Sequence, residues 1–130
     1  MMRHECEILE EVMFYDTDCG AVVHNLAYLR MIEKCRTMLA GSMGFNLREM
    51  SETGIFPVVV HTEADYRKPT GLGDFLRIKG WLAEWGKARF WCEFEIHRDA
   101  DLVLTARQSL AVLKMPEGKI QRLGPLPALA

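Results

Sequence analysis

Two carboxylates, Asp16 and Asp18, stand in the polar stretch Asp16-Thr17-Asp18-Cys19-Gly20, shortly ahead of an apolar stripe that begins at Leu26. The first turn of a helix carries backbone N–H groups without intrahelical partners and a partial positive charge. It can therefore polarise a carbonyl oxygen and hold the oxyanion that forms when that carbonyl is attacked. A thioester carbonyl suits such a place. A carboxylate beside it can attack directly as a nucleophile or take a proton from an attacking water. Asp18 is near enough in sequence to do either, with Val23, His24 and Asn25 forming the polarising turn. The same two aspartates have a purely structural reading, as an Asx turn and a partner for the helix dipole, and local chemistry alone favours it. Cys19 is a further conceivable nucleophile, but no partner pattern supports it. His4, His24, His61 and His97 have no metal-ligand spacing with the cysteines or with each other, so neither a metal nor an organic cofactor is expected.

The elements that must position these residues follow from periodicity. Residues 6–15 carry Ile8, Val12 and Phe14 among charges, an approximate strand pattern. Asn25 is the expected cap of a helix over 26–39, where Leu26, Leu29, Ile32, Met38 and Leu39 recur near helical spacing without proline. Gly41 and Gly44 end it, and 46–51 form a short second helix before Gly54. Four β-branched and aromatic runs follow, at 56–66, 75–85, 88–98 and 103–115, separated by turn signals such as Trp85-Gly86-Lys87 and Asp99-Ala100-Asp101. This order specifies an α+β fold with one antiparallel sheet on one long helix. One helix covers only part of a sheet face, so self-association to a dimer at least is expected. The whole chain, 1–130, is expected to be one domain with its core over about 6–115 and a mobile tail at 116–130, where Gly124-Pro125-Leu126-Pro127 cannot continue the sheet.

Composition narrows the class without naming it. The chain has 130 residues, 49% hydrophobic and 26% charged, as expected of one globular domain with its own core. A net charge of -2 provides no field for nucleic acid, which is not an expected partner. No apolar run reaches the roughly 18 residues of a membrane span. Cys6, Cys19, Cys35 and Cys92 show no CxxC pairing and the N-terminus has no signal-like core, so a cytoplasmic protein with reduced thiols is expected.

The string Tyr15-x-Thr17-Asp18, Val22-Val23, Tyr28, Glu33 and Arg36, with Asp16 inside it, resembles the signature of the 4-hydroxybenzoyl-CoA thioesterase family, including its Tol-Pal-associated branch. Tyr66-Arg67-Lys68-Pro69 and Gly73-Asp74 resemble that family's next strand and turn, so the likeness spans about residues 6–115. The resemblance implies a hotdog fold, a five-stranded antiparallel sheet wrapped around one long helix, whose subunits pair into a continuous sheet with the active site at the dimer interface. It implies hydrolysis of acyl-CoA to free acid and CoA, with CoA as part of the substrate. The family's catalytic aspartate falls on Asp18, and Asp16 matches the supporting turn. Two positions depart from the pattern. After the paired valines the Tol-Pal branch has an aromatic and then histidine, where this chain has His24 and Asn25. Many members carry glycine where this chain has Ala21, which restricts the backbone there.

Other candidates surround this centre. Tyr15 and Tyr28 lie within the motif as substrate-facing residues. Glu63 could reach a neighbouring subunit's site across a paired sheet, with His61 on the same strand face. CoA phosphates call for cations, and Arg67 and Lys68 beside Pro69, or Lys87 and Arg89 beside a hairpin, are placed for that. Trp81, Trp85, Phe90 and Trp91 are core or interface residues first, and acyl lining second. Three other functions share this centre or fold: a carrier-protein thioesterase, a non-catalytic acyl-CoA binding module, and a dehydratase.

Overall fold

The computed structural model describes residues 3–129. Helix α1 spans Asn25–Ser42 and buries Ala27, Tyr28, Met31, Ile32, Cys35, Leu39 and Ala40 on one side. Asn25, expected as the cap, is instead the first helical residue. The cap is His24, whose side chain accepts the Ala27 N–H. Helix α2, Leu47–Thr53, is capped by Asn46, whose side chain accepts from the Arg48 and Glu49 N–H groups.

Six strands form one antiparallel sheet: β1 Glu5–Glu11, β2 Ile55–Tyr66, β3 Phe75–Trp85, β4 Arg89–Arg98, β5 Asp101–Lys114 and β6 Lys119–Gln121. Five of them run in the order β1-β3-β4-β5-β2, and β6 adds to β5. Strand β1 ends earlier than the 6–15 pattern suggested. Val12 turns into the core, and Phe14–Asp16 make a 3-10 turn because the Asp16 carboxylate reaches back to the Met13 N–H at 3.0 Å.

The helix-facing side of the sheet can be read from the register. Ile8, Ile78, Phe94 and Leu104 pack beneath α1 with Met31, Ile32 and Leu39. Contact is closest at Gly80, where a Cβ would stand 2.8 Å from the Phe94 ring and 3.0 Å from Cys35 Sγ. Any side chain there would lift α1 from the sheet, because close-packed interiors have no slack for an added carbon. On β2 and β5, Gln108 donates to Thr62 and accepts from Arg36 of α1, so Thr62 and Gln108 face the helix. Side chains alternate along a strand, so His61 and Glu63 face away from it.

Segment 124–127 lies outside the sheet, as expected, but β6 adds part of the 116–130 tail to β5 and the residues after it are hydrogen-bonded back onto the domain. Beyond β6, the Leu123 N–H donates to the Lys87 carbonyl and Trp85 Nε1–H to the Gly124 carbonyl. His4, itself buried, hydrogen-bonds Ser42 Oγ and the Pro127 carbonyl. Strand β6 escaped the sequence reading because three residues are too few to show alternation, and the anchors of 123–127 belong to distant segments. Among the described residues no helix is long and apolar enough to cross a membrane.

Candidate active site

Segments 16–18 and 22–24 run antiparallel and fold the aspartates onto the start of α1. Thr17 bridges Val23, the Asp18 N–H donates to the Val22 carbonyl at 3.0 Å, and the His24 N–H to the Asp16 carbonyl at 3.1 Å. The two carboxylates then diverge. Asp16 is 1% exposed, with Oδ2 accepting the Met13 N–H and Oδ1 facing Arg30 at 3.3 Å. Arg30 also binds Glu10, which Lys34 holds as well. Burial pushes the Glu10 pKa up, but the bonds from Lys34 and Arg30 outweigh it and hold the carboxylate below its ordinary value. Asp18 is exposed, and its carboxylate has no hydrogen bond or ion pair among the described residues. One aspartate builds the turn and the other is free.

The turn itself is tight. Gly20 and Ala21 both have positive φ, 77° and 58°. Alanine there costs roughly 1–2 kcal/mol of left-handed strain. Glycine relieves that strain but adds about 0.4–1 kcal/mol of unfolded-chain entropy. Ala21→Gly is therefore expected to stabilise the fold by about 0.5 kcal/mol, seen as a higher urea midpoint at unchanged m-value.

His24 is fixed as a cap. Its Nδ1 accepts the Ala27 N–H at 3.1 Å, which assigns the proton to Nε2, 3.4 Å from the Tyr15 carbonyl. A ring held this way orients the helix start. His24→Ala is expected to cost about 1 kcal/mol in chemical denaturation, whereas His24→Asn, with a good capping side chain, retains most of that stability.

The donors for an oxyanion differ from those expected. The Val23 N–H is taken by the Thr70 carbonyl at 2.9 Å and the His24 N–H by Asp16, so neither is free. Among the described residues, the Asn25 and Leu26 N–H groups have no partner, and they open the helix beside Asp18. Next to them is a groove of about 290 Å3 lined by Val22, Val23, Tyr28, Tyr66, Arg67, Lys68 and Pro69. Tyr28 is buried at its floor, hydrogen-bonded to Thr70 Oγ1 and tilted against the Tyr66 ring.

Residues 12–128 match the Thioesterase-like superfamily. The chain belongs to this superfamily. A 1,4-dihydroxy-2-naphthoyl-CoA hydrolase from Synechococcus elongatus is 30% identical over 119 residues, covering 89% of this chain and 85% of the relative. A crystal structure named as a probable thioesterase from Bartonella henselae shares 28% identity with a TM-score of 0.85, over 92% of this chain and 99% of that one. A 1,4-dihydroxy-2-naphthoyl-CoA thioesterase from Synechocystis, at 24% identity and TM-score 0.81 over 92% of this chain and 90% of that one, shares the fold. The fold is thus the hotdog of the thioesterase-like superfamily, one long helix against an antiparallel sheet, with β6 added.

Within this superfamily member the remaining candidates fall in different places. Val23, Tyr28, Arg67 and Lys68 line one groove, but Lys68 Nζ is engaged 2.8 Å from Asp101, which leaves Arg67 as the groove's uncommitted cation among the described residues. Tyr15 is exposed on the adjoining turn and does not line the groove. His61 and Glu63 do share a face, with Nε2 to Oε1 at 3.0 Å, but on the side of the sheet turned away from α1. Arg89 and Lys87 sit at the β3–β4 hairpin, the end of the sheet opposite the start of α1. Neither pair joins Asp18 within the chain. Burial pushes the Cys35 and Cys92 thiols up to about 12, which removes both as thiolates near neutral pH. Among the described residues no three His, Cys, Asp or Glu side chains gather to hold a metal. Sequence reasoning missed Arg30, Thr70 and Gln108, the groups that lock Asp16, Tyr28 and Arg36. Gln108 stands between Arg107 and Ser109 in the sequence, so nothing local marked it out.

Proposed function

We propose that this protein hydrolyses acyl-CoA thioesters to a carboxylic acid and CoA. The observation that supports the reading is an exposed Asp18, its carboxylate unpartnered among the described residues and its backbone N–H bonded to the turn that presents the Asn25 and Leu26 N–H groups, which are likewise without partners among the described residues. The thioester carbonyl oxygen points at those N–H groups, which stabilise the charge that develops on it. Asp18 takes a proton from the attacking water as the C–O bond forms. Collapse of the tetrahedral intermediate breaks the C–S bond, and the leaving thiolate recovers that proton from Asp18. The pantetheine arm lies in the groove over Tyr28 and Tyr66, and Arg67 meets a phosphate at its mouth. No cofactor enters these steps.

The pairing proposed with this reading uses β2. It is an edge strand whose second side has no strand partner among the described residues, and Val59 to Glu63 are exposed around an irregularity in its pairing. Such an edge invites a second copy. The test is turnover by wild type and Asp18→Asn on an acyl-CoA panel, with molar mass in solution measured beside it. A folded Asp18→Asn with wild-type turnover sinks the assignment.

A further inference from the structure

Thr70, in the segment between β2 and β3, grips the start of α1 from both sides. Its carbonyl accepts the Val23 N–H at 2.9 Å, ahead of the helix, and its hydroxyl pairs with the Tyr28 hydroxyl, inside the first turn. Between these two grips lie the Asn25 and Leu26 N–H groups. Helical side chains lean back toward the N-terminus and residues three apart share a face, so the Tyr28 ring lies beneath the turn that opens at Asn25. Holding the ring tip and the Val23 N–H from one residue fixes both the position of the helix start and its rotation about the axis.

The grip is referenced to the sheet. The Gly71 N–H and Arg98 both donate to the Asp74 carboxylate, at 2.9 and 3.1 Å, and the Arg67 and Lys68 N–H groups donate to the Val103 carbonyl of β5. Among the described residues, Tyr28–Thr70 is the only side-chain hydrogen bond between 67–74 and α1. Both residues are buried, so neither hydroxyl can exchange its partner for bulk water. Thr70 does not line the groove, and a residue so enclosed acts on a substrate only through what it holds.

We propose that Thr70 is a positioning residue for thioester hydrolysis, its hydroxyl aiming the Asn25 and Leu26 N–H groups at the carbonyl oxygen by way of Tyr28. This rests on the thioesterase reading and adds to it the group that sets the donors' direction. Hydrogen bonds weaken steeply as they bend. The oxyanion depends on those two donors far more than the ground-state carbonyl does, so a tilt of the first turn falls on kcat rather than on KM.

The experiment measures kcat and KM on the best of butyryl-, benzoyl- and decanoyl-CoA, below each variant's unfolding transition. Thr70→Val keeps the shape and the carbonyl and removes the hydroxyl. It is expected to lower kcat by about tenfold to a hundredfold, the scale of a misplacement near 1 Å, with KM within about twofold. Thr70→Ser, which retains the hydroxyl, restores most of the loss. Tyr28→Phe lowers kcat as Thr70→Val does, and the double variant falls no further, because both substitutions break the same bond. The Asn25 and Leu26 amide resonances shift in Thr70→Val and return in Thr70→Ser. Wild-type kcat or unmoved amides in Thr70→Val, a loss confined to KM, no rescue by serine, or losses that multiply in the double variant overturns the assignment while Asp18-dependent turnover persists. Absence of wild-type turnover on every acyl-CoA overturns the thioesterase reading itself, and the positioning role with it.

Discussion

Asp18→Asn is expected to lower kcat on the best acyl-CoA by about a thousandfold, within the 100- to 10,000-fold that a positioned acid–base group contributes. The substitution keeps shape and hydrogen-bonding capacity and removes only the basic site. Because the Asp18 side chain is exposed and without partners among the described residues, its loss should leave the thermal midpoint within a degree or two. KM should change little, since the Asn25 and Leu26 donors and the groove over Tyr28 persist. Single turnover in heavy-oxygen water followed by mass spectrometry separates the two available routes. An acyl-Asp18 anhydride trapped by rapid quench, or label in the protein, marks Asp18 as the attacking nucleophile, whereas label in the product acid with no trapped acyl-enzyme marks it as a base.

Asp16→Ala should behave in the opposite way. This carboxylate is buried, and removing it strands the Met13 N–H and releases Arg30. A broken buried pair costs about 3–5 kcal/mol, but Arg30 is 44% exposed and its share is screened by solvent. A loss of about 2–3 kcal/mol remains, mostly from the unsatisfied backbone donor and the emptied site. In a chain of this size that lowers the melting temperature by about 10 °C in calorimetry. Activity should fall as well, and cooling should restore part of it, because the turn is loosened and Asp18 itself is intact. Two aspartates separated by one residue are thus expected to divide into a stabilising group and a reactive one.

The sequence made this division only half visible. Order and periodicity were sufficient for β3, whose bounds match at Phe75 and Trp85, and for the apolar face of α1, because both depend on local alternation or helical spacing. The cap was misplaced by one residue because asparagine is a common cap and histidine an uncommon one. Only the bonds that His24 makes to the Ala27 N–H and the Tyr15 carbonyl reveal which side chain is used. His61 and Glu63 were correctly joined on one face, but period two cannot say which face the helix covers. The register shift between Val59 and His61 further breaks the phase with the apolar start of β2. The engagement of Lys68 by Asp101 and the place of Arg89 at the far end of the sheet were not legible for a different reason: charge pairing and position along the sheet are set by chain topology, not by neighbours in sequence.

Residues 67–74 and the turn that carries Asp18 are knitted at several points: Thr70 accepts the Val23 N–H and bonds Tyr28, Gly71 bridges Val22, and the Leu72 N–H donates to the Ala21 carbonyl. The cation that would meet the nucleotide and the carboxylate that would meet the carbonyl therefore move as one piece. A substrate arriving there has little loop entropy to remove before reaction, so the nucleotide's binding energy goes into placement rather than into ordering the protein. Thioesters shorn of the nucleotide would lose that leverage at a site that is already assembled.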